Sequence, residues 1–262
     1  MKLDSPLAAS RDLLEASEFN ASVLRGLGLY LKLARQGDAD AQSTLALAYW
    51  LGLGLEKNAS SAVAWWGKAA KQGHASSQTS LGVAYMMGEG VAKLKPQSAV
   101  KHWTRAAASG DVMAMTNLGL CYMNGEAGLH RNPDKAVEYY RRAAERGYAQ
   151  AQNNLGMAYS SGIGNSGVKD STLAVEWYRR AAEGKSSDAE NNMGLAYWTG
   201  NGVGAKDPNK AVAFWTRSAQ NGNVQAQCSL GVALMVSHII FAPIWSLSSS
   251  MTCVDEQRLY FQ

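Results

Sequence analysis

Four features of the 262-residue chain carry residue types that could do chemistry. Gly162-Ile163-Gly164-Asn165-Ser166-Gly167 has the GxGxxG spacing of dinucleotide-binding turns, whose glycines let backbone approach a pyrophosphate at a helix N-terminus. Gly184-Lys185-Ser186 resembles the end of a phosphate loop. His74, His102, His130 and His238, with Cys121, Cys228 and Cys253, are the residue types of metal centres and nucleophiles. The pairs Arg141-Arg142 and Arg179-Arg180 could hold an anion. Each chemistry demands a setting, and the settings fail. A dinucleotide fingerprint follows a strand, whereas the pattern before Gly162 is helical. Arg179 stands where a phosphate loop has its first glycine. The histidines have no second ligand at metal spacing, the cysteines are odd in number without a CxxC pair, and no Ser-His-Asp or Cys-His order stands out. The expectation is no catalytic residue, no metal, no cofactor, and no enzyme.

The elements that would position these residues are repeated. The segment AQNNLGMAY (151–159) recurs as AQSTLALAY (41–49), SQTSLGVAY (77–85), AMTNLGLCY (114–122), AENNMGLAY (189–197) and, degraded, AQCSLGVAL (226–234), at intervals of 36, 37, 37, 38 and 37 residues. A second segment recurs between them, as in SAVAWWGKAAKQG, KAVEYYRRAAERG and KAVAFWTRSAQNG. Apolar residues fall at helical spacing in both, which predicts two helices per unit, A and B, joined by a glycine-rich turn. Asn132-Pro133 and Asp207-Pro208 mark helix B starts, a capping side chain before a proline in the first turn. The glycines of the GxGxxG motif belong to that turn, because GLGLEK, GEGVAK and GNGVGAK occupy the same place in other copies. Ala46, Gly82, Gly119, Gly156, Gly194 and Gly231 sit in mid-helix, where glycine costs about 1 kcal/mol relative to alanine. A recurring cost of that size predicts close approach of A and B, the large aromatic of one over the small residue of the other. Basic residues near the B-helix ends complement the helix dipole.

These repeats resemble the Sel-one-like repeat family, a branch of the tetratricopeptide-like α-solenoids. In the fourth copy the resemblance rests on Leu155, Gly156, Tyr159, Gly162, Gly164, Ala174, Val175, Trp177, Tyr178, Ala181 and Ala182. It implies an all-α fold, a right-handed superhelical solenoid of antiparallel helix-turn-helix repeats with the A helices lining the concave face. The expected organisation is an N-terminal helical cap with a worn helix B (1–36), five complete repeats (37–72, 73–109, 110–146, 147–184, 185–221), and a partial sixth repeat with a divergent apolar tail (222–262). The implied function is a non-catalytic scaffold or adaptor that holds a peptide or protein partner. A membrane-tethered assembly or quality-control adaptor is the second reading, and a β-lactam-binding or hydrolysing enzyme the third. The cysteine-rich branch tied to β-lactams carries a cysteine pair in each repeat, and those pairs are absent here.

Composition agrees with an intracellular, most simply cytoplasmic, globular chain: 47% hydrophobic, 18% charged, and no uninterrupted apolar run in the first residues of the kind a signal peptide needs. A net charge of +4 is too small to predict nucleic-acid binding without a clustered basic face. Residues 230–247 approach the length of a membrane span, but His238 and Pro243 interrupt them, so a terminal capping helix is expected instead. Partner contact is expected at variable places two residues before and five after the reference leucine of helix A, on the side away from the core tyrosine. Those places hold Ser43, Thr79, Thr116, Asn153 and Asn191, then Trp50, Met86, Met123, Ser160 and Trp198. Asn154 and its small polar equivalents are expected to hydrogen-bond between adjacent A helices.

Overall fold

A computed structural model of the protein describes residues 26–164 and 167–241, with side chains described as far as residue 235. Among the described residues there are twelve helices and no strand. They are α1 (26–36), α2 (Ala39–Leu51), α3 (Ala59–Lys71), α4 (Ala75–Met87), α5 (Pro96–Ala108), α6 (Val112–Asn124), α7 (Pro133–Ala144), α8 (Ala149–Ser161), α9 (Ser171–Glu183), α10 (Ser187–Thr199), α11 (Pro208–Gln220) and α12 (Val224–Phe241). Even-numbered helices are the A helices and odd-numbered ones the B helices. The chain forms two compact units, Met1–Tyr139 and Tyr140–Gln262. In the first, α2 packs on α3, α3 on α4, α4 on α5 and α5 on α6; in the second the same succession runs from α8 to α12. The fold class is the all-α solenoid of helix pairs, in which each element touches its sequence neighbours.

The local signals explain where the helices begin. Side chains of Asp38, Asn58, Asp111, Asp170, Ser186 and Asp207 each accept a backbone N–H of the first turn, at about 1 kcal/mol apiece. Lys95 provides no such bond before Pro96. The mid-helix small residues are where the pairs meet. A Cβ placed on Gly82 would lie 2.2 Å from Trp103 Nε1, one on Gly156 2.6 Å from the Tyr178 ring, and one on Gly194 2.5 Å from Trp215 Nε1. The indole N–H groups of Trp103 and Trp215 donate to the carbonyls of Thr79 and Asn191 at 3.1 and 3.2 Å, so the buried polar edge of each ring is satisfied.

The turn glycines have two separate jobs. Gly162 (φ 78°) ends α8 and Gly200 (φ 83°) ends α10 in the left-handed conformation. Gly162 thus opens the GxGxxG motif at a helix C-terminus, the end whose dipole repels a phosphate. The second glycine of the turn touches the preceding B helix: a Cβ on Gly202 would lie 2.1 Å from the Ser171 carbonyl oxygen, and one on Gly90 2.3 Å from that of Ala59.

A further staple was not anticipated. Gln42, Gln78, Gln152 and Gln227 donate Nε2 to the carbonyls of Ala34, Ala70, Ala144 and Ala219, each eight residues back at the end of the preceding B helix. Each carbonyl also accepts the N–H of the glycine three residues on, so the glutamine adds a second bond at the helix terminus. Glu190 occupies the same place in α10 and, lacking a donor, pairs with Arg217 at 3.3 Å and accepts from Asn221.

The basic residues of the B helices do more than face a dipole. Lys68 lies 3.7 Å above the Trp65 ring, and the Arg180 and Arg217 guanidinium carbons 4.7 and 4.5 Å from the centres of Trp177 and Phe214. At the same place of the B helices a ring stacks on an A-helix tyrosine, as in Tyr122 on Tyr139 and Tyr197 on Phe214. In α5 the residue at this place is His102, stacked on Tyr85 at 5.5 Å. Burial, then the nearby Arg105 charge, lowers its pKa from the ordinary 6.5. The unfolded chain therefore takes up this proton first as pH falls, and folded stability present at neutral pH declines through that value. His102→Phe, copying Phe214, should flatten the dependence of melting temperature on pH between about 7 and 5, where histidine titrates; an unchanged slope would refute it.

At the N-terminal end, Ala34 of α1 is buried with Ala41 and Leu45, and Tyr30 is 41% exposed. None of the described helices is long and apolar enough to cross a membrane. Residues 242–247 of the apolar tail lie outside the described residues.

Candidate functional site

A hollow of the second unit lies over the A helices α8, α10 and α12 and has a volume of about 530 Å³. Amides dominate its lining: Gln150, Asn153 and Asn154 from α8, Asn191 and Asn192 from α10, and Gln225 from α12. Met157 and Leu195 supply its apolar surface, 52% and 43% exposed. The amides are partly wired to each other. Asn192 donates Nδ2 to Asn153 Oδ1 at 2.9 Å, joining α10 to α8, and Gln150 donates to Asn154 Oδ1 at 3.3 Å. The bond expected between adjacent A helices is made by Asn192, whereas Asn154, Thr44 and Ser80 hydrogen-bond within their own helices. Two shielded atoms have no hydrogen-bond partner: Asn154 Nδ2, a donor, and Asn191 Oδ1, an acceptor. A shielded, unmet polar atom costs on the order of 1–3 kcal/mol.

Beside this groove, sharing Asn192 and Leu195 with it, lies a smaller cavity of about 140 Å³ between α8, α9 and α10. Ser160 and Tyr178 stand at its wall. Burial pushes the Tyr178 phenol up to about 12, against a smaller opposing influence of Ser160, so it stays protonated. A third hollow, of about 250 Å³, lies in the first unit against Met86, Met87, Trp103 and Leu120.

The ten residues singled out from the sequence divide. Asn153, Asn191, Ser160 and Met86 line the hollows just described. The expectation that all ten face outward is corrected. Thr79, Thr116 and Asn153 are buried, and Thr116 is turned inward to its own helix through a 2.8 Å bond to the Val112 carbonyl. Trp50 and Trp198 are half-buried, packed 5.2 and 5.5 Å from Trp66 and Trp215, and so belong to the joint between helices of one pair. Ser43 and Met123 are half-buried as well; only Ser160 is exposed. The reason is geometric. An A helix inside a stack meets its own B helix, the preceding B helix and the neighbouring A helix, so its buried arc is far wider than the roughly 100° stripe of a surface helix.

What faces out instead is the place two residues after the reference leucine: Leu47, Leu120, Met157 and Leu195, each more than 40% exposed. Sequence reading missed these. The available signal was an apolar residue repeated on the side of helix A that the core periodicity does not need.

Among the described residues no group of histidine, cysteine, aspartate or glutamate could hold a metal ion. The buried Cys121 thiol is pushed up to about 11, first by burial and then by Glu126, which keeps it a thiol and a poor nucleophile at neutral pH.

Comparison with known proteins follows the repeat. The Sel1 repeat pattern matches five times, at residues 39–74, 75–111, 112–148, 149–186 and 187–223. The chain belongs to the Sel1 repeat family. Among solved structures, it is 32% identical to a protective antigen of uropathogenic Escherichia coli with an SLR fold, over 79% of this chain and 44% of that one, at a TM-score of 0.68. It is 30% identical to a Sel1 repeat protein from Oxalobacter formigenes, over 79% of this chain and 58% of that one, at 0.69. An immunity protein of Pseudomonas aeruginosa, 18% identical over 82% and 84% of the two chains at 0.52, shares the fold. This chain thus spans about half the length of the first two. No curated protein matches. Sel1 and related helix-pair repeats are in general scaffolds that mediate protein contacts.

Proposed function

We propose that this Sel1 repeat protein is a non-catalytic adaptor that holds a peptide segment of a partner protein along the outward face of its A helices. The observation that carries this reading is the amide-lined groove over α8, α10 and α12, with one donor and one acceptor left unmet. A peptide backbone offers a carbonyl and an N–H in each residue, and either asparagine amide can turn about its soft terminal torsion to meet one. Met157 and Leu195 then give apolar area beside the backbone. Asn153 and Asn191 take part from the wall, whereas Trp50, Trp198, Thr79 and Thr116 set the spacing of the helices. Ser43, Met86 and Met123 stand at the edge of the corresponding A-helix surface in the first unit.

Peptides selected on the full chain from a displayed random library provide the test. Asn154→Ala combined with Asn191→Ala should weaken the selected peptides about tenfold, the loss expected for one or two hydrogen bonds, while far-ultraviolet circular dichroism stays unchanged. Selected peptides that bind the double variant as tightly as the parent would refute the groove.

A further inference from the structure

The fourth repeat departs from its neighbours at two facing places. Five residues after the reference leucine, helix A carries Trp50, Met86, Met123, Ser160 and Trp198 in the five complete copies. Opposite, helix B carries Trp66, Trp103, Tyr140, Tyr178 and Trp215. Where both are tryptophan the rings fill the joint, with centroids 5.2 and 5.5 Å apart. Ser160 with Tyr178 is the smallest pair of the five, and the cavity of about 140 Å³ lies against it. That size is close to the roughly 150 Å³ engineered void that stays dry and takes up benzene.

The chemistry of the lining is that of a socket for hydrocarbon. Ala174, Val175, Leu195 and Ala196 provide carbon surface. Two of the polar groups around them are paired, Thr199 Oγ1 with the Leu195 carbonyl at 2.9 Å and Asn192 Nδ2 with Asn153 Oδ1 at 2.9 Å, and no charged side chain is among the lining residues. An apolar occupant therefore finds carbon surface, whereas a charged one finds no opposite charge to pair with. The adjoining groove differs in carrying unmet amide atoms, on Asn154 and Asn191.

We propose that the cavity beside Ser160 and Tyr178 is an anchor pocket for one apolar side chain, of leucine or phenylalanine size, from a peptide whose backbone lies along the amide groove. The pocket rests on the reading of that groove as a peptide site. The amides then grip any sequence, and the socket of the fourth repeat chooses which residue sits at one register.

The test uses the full chain and a peptide selected from the displayed random library. Ser160→Met fills the socket with a residue the third copy already pairs with tyrosine, so the fold accommodates it; Ser160→Ala keeps the socket open. Replacing the peptide's apolar anchor by alanine should weaken binding to the parent about 10- to 100-fold, the range for burying one such side chain. Ser160→Met should weaken the unaltered peptide by a similar factor, the two changes together should cost no more than either alone, and Ser160→Ala should bind within a few-fold of the parent. Full affinity of Ser160→Met, or losses that multiply, would overturn the anchor pocket while leaving the groove intact if the Asn154 and Asn191 changes still weaken binding. A library that enriches nothing over an unrelated helical protein would overturn both.

Discussion

Gly156→Leu is expected to lower the melting temperature by about 5 °C or more. The first added carbon already falls 2.6 Å from the Tyr178 ring and 3.1 Å from the Ala174 carbonyl oxygen, and three further carbons follow it. Overpacking of that kind costs roughly 1–3 kcal/mol or more, and about 2–4 °C accompanies each kcal/mol in a chain of this length. Leucine also regains nearly 1 kcal/mol of helix propensity, so the net loss measures the closeness of α8 and α9 rather than any local preference. Alanine should be much milder, since Ala46 fits against Trp66 in the first repeat. Adding Tyr178→Ala to the leucine variant should recover part of the loss. A thermal melt that does not move would refute close approach at this point.

Gly202→Ala is expected to be as damaging, though it adds a single carbon. That carbon would sit 2.1 Å from the Ser171 carbonyl oxygen and 2.5 Å from its carbonyl carbon, backbone atoms that cannot rotate aside as a ring can. The backbone at Gly202 is also left-handed, with φ 75°, which costs an alanine roughly 1–2 kcal/mol by itself. Gly204 separates the two effects. It has φ 82° but open space around it, so Gly204→Ala should show the conformational cost alone. The variant at 202 should melt several degrees below the variant at 204; equal melting temperatures would mean that the turn does not bear on the preceding B helix.

The candidate site was less legible than the fold. Alignment of the copies singles out Asn153 and Ser160, but as part of one outward stripe with Trp50 and Trp198 that the burial of Asn153 and the tryptophans does not support. Helical periodicity gives angles around one helix, and it predicts one apolar stripe when a helix has one neighbour. Here α8 and α10 have neighbours on several sides, so Thr79, Thr116 and Asn153 are buried and the exposed place passes to Met157 and Leu195. The amide groove was partly visible, as paired asparagines at 153–154 and 191–192. The cavity beside Tyr178 was not, because it arises from two small choices on different helices 18 residues apart.

The sequence by itself determined the helix pairs, their number and succession, the caps, and the small-against-large joint within each pair. These rest on local spacing and on the same solution being written five times, so each copy confirms the others. It also determined that the GxGxxG motif is a turn, since its glycines recur without its chemistry. Only the tertiary structure decided which side of each A helix remains open, that the second turn glycine touches the preceding repeat, and that Ser160 faces Tyr178 across a void. Those depend on distances between elements, which a one-dimensional pattern does not contain and which packing alone sets.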